Sequence, residues 1–126
     1  MIPKFRAYDG GSLCRMYSPE EVMVGNGDIW IIDEDGVAGE WIVNNDLALM
    51  QSTGLTDKNG KEIFEGDIID STDGFLTGVV EFRVSLGMFV SELVEYNNFE
   101  RLCNVASSRK IIGNIWEHPE LAEVSS

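Results

Sequence analysis

The chain has 126 residues, with 9 Lys plus Arg against 22 Asp plus Glu, a formal charge of −13, and 44% apolar residues. A domain of this size buries roughly two thirds of its unfolded surface, so folding needs neither metal nor disulfide, and three Trp, six Phe and three Tyr argue against intrinsic disorder. The excess of acid argues against binding to nucleic-acid phosphates, which rests on Lys and Arg releasing counterions.

The acids are spread along the chain without a run of five like charges, which reads as a soluble, self-repelling surface. A sharper reading is a surface that mimics nucleic acid and occupies a basic protein. The opening Met1-Ile2-Pro3-Lys4-Phe5-Arg6 has no apolar segment behind its basic residues, so no secretory signal is expected there. Apolar stretches such as Ile29-Trp30-Ile31-Ile32 fall far short of the ~20 residues of a membrane span. Cys14 and Cys103 are far apart and read as two reduced core thiols of a cytosolic protein.

In chain order, Lys4 to Tyr8 and Leu13 to Tyr17 read as strands flanking the turn Asp9-Gly10-Gly11-Ser12. Ser18-Pro19-Glu20-Glu21 reads as a helix start, with Ser18 as N-cap, Pro19 in the first turn and Glu21 closing a capping box. Gly25-Asn26-Gly27 limits that helix to a turn or two. Asp28 to Asp33 and Val37 to Val43 have strand composition and flank Asp33-Glu34-Asp35-Gly36 as a turn. Leu47 to Ser52 is too short for periodicity to settle, with strand preferred.

Asn59-Gly60 should reverse the chain between Leu55 and Ile63. A strand then starts at Glu65-Gly66-Asp67-Ile68-Ile69 and ends at Asp73-Gly74. Gly78 to Val84 and Met88 to Val94 follow, joined by Ser85-Leu86-Gly87, and Ile111 to Trp116 is the last strand. His118-Pro119-Glu120-Leu121 opens a short terminal helix.

Short strands at this spacing predict a mainly β fold, with a short-stranded meander, a small SH3-like barrel and one or two short helices, one of them at the C-terminus. One domain over 1–126 is expected, in which N-terminal strands 1–48 pack on a barrel-like part 49–126. The barrel is a fold-level analogy and carries no function with it.

No residue set announces chemistry. Asp33-Glu34-Asp35-Gly36 and Asp57-Lys58-Asn59-Gly60 place Gly fourth, whereas a calcium loop needs it sixth, so both read as turns capped by their own Asp. His118 is the single histidine and reads as a polar residue at a helix start. No metal ligand set, cofactor loop or catalytic nucleophile is expected. Glu65 with Asp67 and Glu117 with Glu120 are the nearest carboxylate pairs, and acid–base work would need one such acid raised in a cleft. Trp30, Trp41 and Trp116 read as core. If Trp30 and Ile32 share one strand face, Ile29 and Ile31 take the other, which implies a fully buried strand or a partner-covering surface.

Three blocks together carry a resemblance: Lys4-Phe5-Arg6-Ala7-Tyr8-Asp9 followed by Met16-Tyr17, the long run from Leu49 to Ile68, and Ile112-Gly113-Asn114-Ile115-Trp116-Glu117-His118-Pro119-Glu120-Leu121. The chain resembles the YopX family, small proteins encoded mostly by bacteriophages and prophages. The family pattern often has Tyr where this chain has Phe64 and Trp116, and Asn where it has His118. The resemblance implies a predominantly β fold and a tendency to form oligomers, with no established activity and no catalytic residues to carry over. The motif positions Gly54, Asp57, Asn59, Gly60, Gly66, Asp67, Gly113 and Pro119 read as scaffold: Gly60 supplies a turn, and Gly66 and Gly113 allow a bend or close backbone approach.

The expectation is a non-enzymatic binding or assembly protein, a homo-oligomer in the host bacterial cytosol. A host or phage protein is a further partner, and neither cofactor nor membrane is involved. The alternatives are an acidic decoy for a host nucleic-acid-binding protein and a small enzyme with an unrecognised carboxylate site.

Overall fold

The computed structural model describes residues 4–11, 14–32 and 40–123. The fold is mainly β, with twelve strands among the described residues. The chain divides into two compact units, Met1–Gln51 and Ser52–Ser126.

In the first unit β1 (Phe5–Asp9) pairs antiparallel with β2 (Arg15–Tyr17), Ala7 facing Tyr17, and with the first half of β6 (Ala48–Thr56), Ala7 facing Leu49. Between them β3 (Val22–Gly25), β4 (Asp28–Ile32) and β5 (Trp41–Val43) form an antiparallel sheet in that order. Ala7, Tyr17, Val22, Ile31 and Leu47 make the core of this unit, with Phe5 and Ile29 packed against it.

Ser18 does open a helix at Pro19, its N–H donating to the Glu21 carboxylate at 3.0 Å, but the helix is one 3-10 turn, Pro19–Glu21. Val22 to Val24, expected to continue it, are strand. Asn26 and Gly27 hold φ of 54° and 79°, the pair of positive values that a two-residue hairpin turn matching strand twist requires, and β3 folds back on β4 with Gly25 facing Asp28. The expected turn Asp33-Glu34-Asp35-Gly36, the start of the strand expected from Val37, and Ser12 and Leu13 lie outside the described residues.

In the second unit the remainder of β6 pairs with β7 (Glu62–Phe64) around the Asp57-Lys58-Asn59-Gly60 turn. The register slips between Ser52 and Thr56, and Gly54 takes φ of 77° within that irregularity. β8 (Asp67–Asp70), β9 (Gly78–Arg83), β10 (Met88–Leu93), β11 (Phe99–Arg101) and β12 (Lys110–Asn114) form one antiparallel sheet of order β11-β10-β9-β8-β12. α1 (Leu102–Val105) and a 3-10 turn at Ala106–Ser108 follow β11. Ile63, Ile69, Val80, Leu102 and Ala106 form its core, with Leu55, Phe89 and Ile111 alongside.

β12 stops at Asn114, short of the expected Trp116, because Asn114 Oδ1 accepts the N–H groups of Trp116 and Glu117 and turns the chain. A 3-10 turn at Pro119–Ala122 follows, as the His118-Pro119 signal suggested. Trp116 is therefore exposed beyond the strand, and Trp41 is exposed on β5, so neither is core. Trp30 is half-buried, its indole N–H donating to Gly25 O at 3.3 Å. Cys14 and Cys103 are free and exposed instead of buried in the core: Cys14 stands ahead of β2, while Cys103 follows Leu102, which alone of α1 enters the core.

Candidate functional site

The motif run from Ser52 to Asp67 builds a backbone clamp. Asp57 is 5% exposed. Its Oδ1 accepts the N–H groups of Asn59 and Lys61, both at 2.9 Å, and its Oδ2 accepts Ile111 N–H at 3.0 Å. Lys58 N–H donates to Arg109 O at 2.8 Å and Gly60 N–H to Asp57 O at 3.0 Å, so the turn is tied to the start of β12. Burial pushes the Asp57 carboxyl up, but the three N–H groups and the Lys61 charge outweigh it and hold the group below its ordinary value. Ahead of this turn, Thr53 Oγ1 donates to Ile63 O and accepts Leu55 N–H, flanking Gly54.

Beyond the turn, Asp67 Oδ2 accepts Phe64 N–H at 2.8 Å. Gly66 (φ 85°) donates to Val80 O and accepts Ile115 N–H, joining the β7–β8 turn to β9 and to the residue after β12. Gly113 lies under the His118 ring, where an added Cβ would stand 2.7 Å from Nδ1, and Pro119 opens the last 3-10 turn.

In each carboxylate pair one acid is engaged by a neighbour. Asp67 is committed to Phe64, and Glu117 Oε1 accepts the Asn114 side-chain amide at 2.8 Å. Glu81 on β9 is held above its ordinary value, with burial the main cause, followed by its hydrogen bond to Glu92 and the Glu92 charge. Arg83 stands between the two, 3.8 Å from Glu81, hydrogen-bonded to Glu92 and with its guanidinium carbon 4.2 Å from the centre of the Phe99 ring. The Glu81 side chain is 49% exposed. Sequence reading missed this cluster, although β9 alternation and the Gly87 turn are the signals that place Glu81, Arg83 and Glu92 on one face.

A second feature is apolar. Alternation and register put Met23, Trp30, Ile32, Trp41 and Val43 on one face of β3-β4-β5, while Val22 and Ile31 enter the core from the other. Met23 is 48% exposed, Trp41 36% and Val43 44%. Among the described residues β5 is an edge strand, and it carries neither charge nor Pro to block pairing. Asp28, the acid on this face, accepts the Asn45 side-chain amide at 2.9 Å.

Among the described residues no three His, Cys, Asp or Glu side chains gather as a metal site, and no helix is long and apolar enough to cross a membrane.

The fold has solved counterparts. A crystal structure of protein EF1440 from Enterococcus faecalis is similar over 98% of this chain and 99% of its own, with 29% identity and a TM-score of 0.67. Protein yopX from Bacillus subtilis is similar over 94% of this chain and 96% of its own, with 20% identity and a TM-score of 0.59. No curated protein matches. Residues 4–123 match the family described as YopX protein, and the chain belongs to the YopX family.

Proposed function

We propose that this protein is a non-enzymatic binding or assembly component of a phage or prophage, acting as a homo-oligomer in the host bacterial cytosol. The observation that carries this reading is the apolar outer face of β3-β4-β5, where Met23, Trp41 and Val43 are exposed beside half-buried Trp30 and Ile32. Contiguous exposed apolar surface on a soluble chain marks a place where something else packs. On a chain of charge −13, copies approach at least cost through a face poor in charge, and Asp28 is the acid on this one. Among the described residues no strand pairs the outer edge of β5, whose backbone groups a second strand can pair.

Light scattering over a wide concentration range tests the surface. The native chain should show a mass above the monomer, and Trp41→Lys or Met23→Lys should weaken association by about tenfold or more, the range of a buried aromatic or Met anchor. Lys lowers the net negative charge, so such a loss does not come from added repulsion. A strict monomer, or variants that associate like the native chain, contradicts the reading.

The charge of −13 favours a second reading, an acidic decoy that occupies a host nucleic-acid-binding protein. Capture of one basic host protein from nuclease-treated lysate, lost at ~1 M salt where screening shortens to ~3 Å, supports it, and capture that persists at that salt contradicts it. A small enzyme with a carboxylate site is a third reading, and its candidate is Glu81. A half-exposed acid bracketed by Arg83 and Glu92 on an open strand face reads as a surface ion cluster instead of a general acid in a cleft.

A further inference from the structure

We propose that His118 is a proton-operated latch on the C-terminal turn. Asn114 N–H donates to His118 Nδ1 at 3.2 Å, and His118 N–H returns a bond to Asn114 O at 2.8 Å. The first bond exists only in the neutral imidazole with its proton on Nε2, because a protonated ring has no acceptor nitrogen. A second proton sets two donors, Asn114 N–H and Nδ1–H, against each other.

The ring is closed off on the Gly113 side. A Cβ on Gly113 would lie 2.7 Å from Nδ1 and 2.9 Å from Cγ, so the ring lies directly against the Gly113 backbone. The relief is to lift the turn. Asn114 is its hub: Oδ1 accepts Trp116 and Glu117 N–H, Nδ2 donates to Glu117 Oε1, and Leu121 N–H donates to His118 O in the next turn. Loss of the Nδ1 bond loosens the turn from Trp116 onward, while Ile115 N–H stays on Gly66 O and the β8–β12 ladder, which ends at Asn114 opposite Asp67, stays paired.

The charged groups on the elements around the ring are mostly acids. Glu117 and Glu120 flank it in sequence, Glu65 and Asp67 belong to the β7–β8 side that meets residues 113–115, and Asp70 and Lys110 pair at the far end of the ladder. A carboxylate among these groups does not restore the acceptor that Asn114 N–H loses.

Backbone amide NMR and hydrogen exchange on the full chain, followed together with the His118 ring signals as pH is lowered, test the latch. The single histidine makes its ring signals unambiguous. The Asn114 amide shift should follow the His118 ring protons with one midpoint. Corrected for intrinsic exchange, Asn114 protection should fall about tenfold or more across that midpoint, while Ile69 and Val80 amides hold. His118→Asn, whose Oδ1 stands where Nδ1 does and accepts a hydrogen bond at every pH, should abolish the pH dependence. An Asn114 amide indifferent to His118 protonation overturns the proposal, as does a His118→Asn chain with the same loss. The titration of the native chain decides the matter if the variant does not fold.

Discussion

Asp57 commits both carboxylate oxygens to backbone N–H groups of Asn59, Lys61 and Ile111, so one side chain closes its own turn and fixes the start of β12. Asp57→Ala should cost about 3 kcal/mol in chemical denaturation, because it leaves charge-assisted bonds unmade and buried donors without partners. The carboxyl is held below its ordinary value in the fold. Its contribution is therefore complete above the ~3.9 of a free Asp and is lost as pH falls through the lower folded value. Asp57→Asn should flatten that acid limb of stability against pH. Glu81 has the opposite sign: its pKa is raised by burial and by Glu92, so the folded chain holds that proton more tightly and stability declines as pH rises through the raised value. Glu81→Gln should gain about 0.5 kcal/mol or less at neutral pH, since the group is half-exposed. A measurable loss there would contradict the assignment.

Close approach between strands depends on small residues. A Cβ on Gly78 of β9 would stand 1.9 Å from Ser91 Oγ on β10, and that hydroxyl is buried with no hydrogen-bond partner among the described residues. Gly78→Ala should destabilise by about 1–3 kcal/mol, whereas Ser91→Ala should be neutral or slightly stabilising. The two changes together should cost less than Gly78→Ala alone, and equal costs in a double-mutant cycle would contradict the contact. Sequence legibility at this scale followed the turns. Asn59-Gly60, Asp9-Gly10 and the Gly87 turn punctuate strands where expected, because positive φ and Asx bonding are local properties that a short window reveals. The strand Val22–Gly25 was missed because the capping box before it is real and a three-residue 3-10 turn satisfies it as well as a longer helix does. β11 and α1 drew no expectation: three and four residues are too few for either hydrophobic period to register. The Gly113–His118 contact was equally hidden, since it depends on how Asn114 turns the chain.

For the whole molecule, the β class and the family resemblance are legible in the sequence and borne out by the fold and by the match over residues 4–123. Which apolar residues stay outside is not legible. Trp41 and Trp116 have core composition, and only strand order and the end of β12 leave them exposed. Composition fixes how much apolar surface a chain has, and topology decides how much the chain can cover by itself. Charge and apolar surface predict opposite salt responses. An association held by the β3-β4-β5 face strengthens or holds as salt screens the repulsion between chains of charge −13, whereas an acid-driven one fades. Sedimentation velocity of the purified full chain at ~0.1 M and ~1 M salt therefore tests the account most directly. An oligomer should be present at both and at least as abundant at high salt; a monomer at both, or an oligomer that dissolves as salt rises, would rule out association through the apolar face.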